Sequence, residues 1–355
     1  MAEPAPQTSR VSLPAALSWL RQAFTEGRSP ALWLLAIVVG VAAGYAAVGL
    51  RLAIQGVQWV AFGDARERLA SAAEALSPLH VIMAPVLGGC IVAGLLYAGQ
   101  RFNWLPEARA QGISDVIETR AVRAGRMDAA PGLLSAAISA VSLGAGASAG
   151  REGPAVHLGA TLSALFTRVL GLPPRAARIL LACGAAAAVS ASFNAPIAGA
   201  LFAFEVILGH YALRSIAPVA AASVTGAVIA RLHFGATPAF ALPAIEPASV
   251  ADFAAMLPLG LAAAAVAIAF ISAAYAAPRV VARAAERAHW PLWALPPAGG
   301  LAVGVIAALF PEVLGVGYEA TAEALAGGYS PLLLAALILA KLAATVITLG
   351  FRFGG

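Results

Sequence analysis

Eight stretches free of Asp, Glu, Lys and Arg leave this chain few folds to choose from. They are Ala31–Leu50, Ala75–Gln100, Ala129–Gly150, Ile179–Phe204, Ser215–Ala230, Phe253–Pro278, Ala288–Pro311 and Ala324–Ala340. Most are long enough to supply the about 20 helical residues that cross a bilayer. In lipid every backbone N–H and C=O needs an internal partner, so such segments are read as helices. The 355 residues are 61% hydrophobic and 11% charged, which excludes an ordinary soluble domain. The expected fold class is an all-α polytopic membrane protein. The formal charge of +5 fits loop arginines on a cytoplasmic face, not nucleic-acid binding. Cys90 and Cys183 lie inside apolar spans, so packing is expected of them and no disulfide. His157, His210 and His233 show no metal-ligand spacing, and no cofactor is implied. Residues 1–30 are polar, with Arg10, Arg21 and Arg28 ahead of the first span, so they do not read as a signal peptide. Residues 12–26 fit a short amphipathic helix on the membrane surface.

One break stands out among the spans: Gly150-Arg151-Glu152-Gly153-Pro154. It places a carboxylate and a guanidinium between two apolar helix-forming runs. An ionisable group at that depth costs about 2.5–3.5 kcal/mol on insertion scales, so it must face protein or water, and it marks function. Gly150 and Gly153 permit irregular backbone. Pro154 suits a first helical turn. Unbonded N–H groups at a helix start inside a membrane form an anion site, and broken helices aimed at a midplane site are typical of transporters.

The chain also repeats. A shift of 200 residues pairs Pro131 with Pro331, Leu133 with Leu333, Ile138 with Ile338, Ala140 with Ala340 and Gly150 with Gly350. Both copies end in glycine-rich breaks, which points to a site between them. The organisation expected is a cytoplasmic N-terminal segment (1–29), a first membrane repeat (30–231), a Pro- and Ala-rich linker (232–252) and a second membrane repeat (253–355). Ser114 and Asp115 fit the first turn of a short helix ending near Arg120–Arg126. Lys341, inside an apolar run, is expected to meet backbone carbonyls or Glu319. Gly146-Ala-Ser148-Ala-Gly150 matches the nucleophile pattern of serine hydrolases. An intramembrane hydrolase would need a histidine beside Ser148. This glycine- and alanine-rich context produces the pattern easily, so transport ranks ahead and no enzyme activity is expected.

Three stretches in order resemble the CLC family of chloride channels and chloride/proton exchangers. Gly150-Arg-Glu-Gly-Pro154 matches its G-K/R-E-G-P motif. Ser192-Phe193-Asn-Ala-Pro196 is similar to the stretch around its G-x-F-x-P motif, with Ala191 for the leading glycine. Val313-Leu-Gly-Val-Gly317-Tyr318-Glu319 and the run from Ala340-Lys341 to Gly350 look like the approach to its third motif. The likeness runs from about residue 30 to the end. It implies a CLC-type inverted-repeat fold in a bacterial inner membrane, and a homodimer with one pathway per subunit for chloride or a related anion. Glu152 would be the gating glutamate. Gln111, Gly112, Ile113, Arg151, Gly153, Phe193 and Gly355 would border the anion. Two departures follow from the alignment. Gln111 stands where the family's first motif has a serine, and its amide can still donate to an anion. Val206, beside Glu205, stands where exchangers carry an internal proton-accepting glutamate, which favours channel-like conduction over proton-coupled antiport. The chain stops at Gly354-Gly355, where the family's motif continues, so the second repeat is expected to be incomplete.

Overall fold

A computed structural model describes residues 29–66, 68–236, 240 and 250–355. The proposed surface helix at 12–26 and most of the 232–252 linker lie outside them. The described residues form helices joined by short turns, with no strand among them. In chain order they are α1 (Ser29–Phe62), α2 (Leu69–Glu74), α3 (Pro78–Arg101), α4 (Ile113–Val122), α5 (Ala129–Gly144), α6 (Glu152–Val169), α7 (Pro174–Phe193), α8 (Pro196–Phe202, continued by a π-turn over Ala203–Leu208), α9 (Leu213–Phe234), α10 (Val250–Arg287), α11 (Leu295–Leu309), α12 (Tyr318–Leu325) and α13 (Pro331–Gly350). Among them, α1, α3, α7, α9, α10, α13 and the segment Leu292–Leu309 containing α11 are long and apolar enough to span a membrane.

The centre of the first half is α7. Leu180 to Ala188 are fully buried, and α1, α6 and α9 pack around them. Lipid gives helices no hydrophobic reason to associate, so they rely on close contact between small residues. Gly159 of α6 lies so near α7 that a Cβ there would come within 2.5 Å of the Gly184 carbonyl. A Cβ on Gly226 of α9 would collide with the Ala187 carbonyl. Cys183 is packed in this core as expected. Cys90, on the outward side of α3, is exposed instead. α11 of the second half pairs with α3 of the first by the same device: Gly89 faces the Pro296 carbonyl and Gly300 the Pro85 carbonyl. The apolar window of α10 has no buried residue, and the helix touches α13.

Two spans end elsewhere than their charge-free windows. α5 stops at Gly144 because the chain turns at Gly146, whose φ of 97° suits glycine. α13 starts only at Pro331, behind a Ser330 cap that accepts from the Leu333 N–H at 3.3 Å, and runs on through Lys341. It can do so because the Lys341 ammonium is satisfied. Nζ donates to the carbonyls of Val313 and Gly315 at 2.9 and 2.8 Å. Glu319 is engaged elsewhere and accepts from the Ala70 N–H at 2.9 Å.

Candidate functional site

The break after α5 builds the site. Seven residues, Ala145 to Arg151, leave the helical path before α6 opens at Glu152. No side chain caps α6, so the N–H groups of its first turn face outward from the helix with their dipole. The half-buried Glu152 carboxylate folds back over Gly150, where a Cβ would collide with Oε2. A side chain larger than hydrogen at 150 would therefore displace it.

The repeat-related break meets this one face to face. The Ser148 N–H donates to Thr348 Oγ1 at 3.2 Å, across the 200-residue repeat interval. The Ser148 and Thr345 hydroxyls lie 3.1 Å apart. A Cβ built on Gly153 would sit 3.6 Å from the Gly355 carbonyl oxygen, and Gly355 lies against Ala149 and Gly150. Ser148 thus bonds the second half of the chain. His157 is 1% exposed on α6, and neither of its ring nitrogens has a hydrogen-bond partner. No histidine bonds Ser148 among the described residues, so the serine–histidine pair of a hydrolase is not formed.

A stripe of buried serines leads away from the break. Ser135, Ser139 and Ser142 share one face of α5 with Gly132. At one end the Gly354 N–H donates to Ser142 Oγ at 3.0 Å, and at the other the Gln111 N–H donates to Ser135 Oγ at 3.0 Å. Seven residues of helix separate Ser135 from Ser142, about 10 Å. Ser139 Oγ, between them, has no protein partner. Thr161, one turn along α6 from His157, packs on Gly132, so His157 faces the same stripe. Gln111, Gly112 and Ile113 stand at the start of α4, where the Gly112 N–H is held by Asp115 at 2.8 Å and Asp115 by Arg109 at 2.8 Å. The sequence reading missed this stripe; its signal was the 132-135-139-142 spacing of small and hydroxyl residues.

Arg151 and Phe193 stand on another wall. Arg151 is buried, with Nη2 3.5 Å from the Ser192 carbonyl and its guanidinium 5.0 Å from the Tyr318 ring centre. It lines a cavity of about 840 Å³ together with Arg51, Arg66, Arg68, Phe193 and Glu319. Phe193 is the last residue of α7, so it offers this cavity its ring and not a free N–H. Asp64 accepts from the Arg66 N–H at 2.7 Å and from Nε at 3.2 Å, and these bonds hold its carboxyl below the ordinary value. Val206 and Glu205 lie on the π-turn after α8, both exposed. Glu205 accepts from the Tyr211 hydroxyl at 2.7 Å. The same turn ends at Leu208, which borders the region where α4 ends and α9 begins, away from the residues that line the Arg151 cavity.

Comparison with known proteins agrees with this geometry. The profile of the voltage gated chloride channel family matches residues 88–355. A chloride channel protein described as ClcB-like from Ralstonia nicotianae is 32% identical over 89% of this chain and 72% of its own. The voltage-gated ClC-type chloride channel ClcB of Escherichia coli O157:H7 is 29% identical over 89% and 74%. Among solved structures, a slow cyanobacterial Cl⁻/H⁺ antiporter aligns with a TM-score of 0.72 at 21% identity, over 91% of this chain and 74% of the other. A CLC-type fluoride/proton antiporter gives 0.72 at 23%, over 92% and 76%. With its helix spans, its paired breaks and the motif at Gly150–Pro154, the chain is an integral membrane protein and belongs to the voltage gated chloride channel (CLC) family of anion transporters.

Proposed function

We propose that the protein carries chloride across a bacterial inner membrane as a homodimer, each subunit holding one pathway gated by Glu152. The observation that carries this reading is the Glu152 carboxylate, folded over Gly150 at an uncapped helix start and opposite Gly355 of the second repeat. An anion and this carboxylate compete for one positive helix end, so protonation or displacement of Glu152 opens the way. The Gln111 side-chain amide and the Ser135 and Ser139 hydroxyls can supply hydrogen-bond donors without full charge along this stretch, where a lysine or arginine would trap the ion. The test is chloride efflux from loaded vesicles with valinomycin. Wild type should release chloride above protein-free vesicles, and folded Glu152→Gln and Glu152→Ala variants should lose most of the pH response. A Glu152→Ala variant with wild-type rate and pH response would overturn the assignment.

The transport mode proposed is passive conduction, because Val206 cannot titrate and so provides no proton station at its position. Proton-coupled exchange is the second reading, favoured by one observation: Glu205 is a carboxylate one residue away, bonded to Tyr211. The reversal potential under opposed chloride and proton gradients separates them. Passive conduction reverses at the chloride equilibrium potential whatever the pH gradient; exchange reverses at a potential that moves with it.

A further inference from the structure

A second basic cavity, of about 680 Å³, lies where α4 ends and α7 and α9 begin. Arg120, Arg175, Arg178, Arg214 and His210 line it, and no Asp or Glu does. Arg120 is anchored on the Leu208 carbonyl. Arg175, Arg178 and Arg214 make no ion pair or side-chain hydrogen bond with any described residue. Two neighbouring arginines have carboxylate partners: Arg168 pairs with Asp128 at 3.3 Å and Arg123 approaches Glu118 at 3.9 Å. Both α7 and α9 start without a side-chain cap, and their dipoles add to the same field. Four guanidiniums gathered in a concave site without a carboxylate would repel one another if nothing filled it. Their planar forks suit the oxygens of a phosphate group better than a monatomic anion. The arginine-rich ends of α4, α6 and α7 mark this face as cytoplasmic, the side on which anionic lipids attract basic clusters.

We propose that this cavity binds a phosphate group, carried by an anionic phospholipid of the adjoining leaflet or by a soluble phosphate compound. Native mass spectrometry of the full chain in detergent, with phosphatidylglycerol against phosphatidylcholine and with pyrophosphate, tests it. For a lipid occupant, phosphatidylglycerol is retained preferentially, and each arginine removed in an R175A/R178A/R214A series weakens retention about fivefold. For a soluble occupant, pyrophosphate binds with the same dependence on these arginines and the lipid preference is absent. Arg178→Lys should weaken either less than Arg178→Glu, and chloride efflux by these variants reports that they fold. R279A/R283A, which removes two exposed arginines of α10 outside the cavity, should bind as wild type. If the triple variant and R279A/R283A bind both probes as wild type does, the proposal is wrong.

Discussion

Single side chains here answer to two solvents at once. Lys341 is an ammonium in an apolar helix, held by the Val313 and Gly315 carbonyls. Lys341→Met keeps the length and apolar stem but removes both bonds and strands the acceptors, and should destabilise the protein by about 3 kcal/mol. Unfolding in mixed micelles measures this. Asp64 presents the opposite case, bonded to Arg66 of the Arg151 cavity. Its bonds to Arg66 depress its folded pKa, so their contribution is complete above the ordinary carboxylate range and is lost only as pH falls through the depressed value. Asp64→Asn should therefore leave the pH profile of transport near neutrality unchanged. It should raise flux at low ionic strength, by freeing Arg66, and the gain should vanish as salt screens the cavity. Anion efflux at two salt concentrations checks both statements. The Glu152 break was legible at this scale, since two opposite charges and two glycines between apolar runs have few meanings. The partners of Ser148 were not legible, because a hydroxyl's bond across the repeat depends on how two distant helices meet.

Helices explain what the windows of charge misjudged. A charge-free run tells where a helix can lie in lipid; caps and turns tell where it does. Ser330-Pro331 starts α13 and Gly146 ends the path of α5, both outside the logic of hydropathy. The charge at Lys341 ended a window without ending a helix. Packing between elements was likewise hidden, because small residues look alike until their neighbours are known. Gly300 and Gly94 make the contrast measurable. A Cβ on Gly300 would collide with the Pro85 carbonyl of α3, whereas Gly94 has open space. Gly300→Ala should cost about 1–3 kcal/mol and lower the yield of folded protein, whereas Gly94→Ala should be neutral or stabilising by about 0.5–1 kcal/mol. Unfolding midpoints of the two variants in the same micelle decide it. The serine stripe on α5 belongs here too. Its spacing was visible, but its meaning needed Gln111 at one end and Gly354 at the other.

At the scale of the molecule, the repeat read from a 200-residue shift corresponds to the meeting of Ser148 with Thr348, and the two halves contribute facing breaks to one site. Neither half supplies both sides of this contact, which the sequence could suggest but not locate. The Lys341 clamp has a consequence for how the protein is made. A ribosome delivers α11 and the Val313–Gly315 loop to the membrane before α13 exists, so the acceptor carbonyls are waiting when the lysine arrives. Insertion of α13 itself is carried by its ten Leu, Ile and Val residues, each favourable by about 0.3–0.6 kcal/mol against about 2.5–3.5 for the lysine. The charge is thus tolerable on entry to the bilayer and becomes useful only on docking. Translation order turns a half-buried ammonium into a latch that closes when α13 arrives, drawing that helix onto elements already in place.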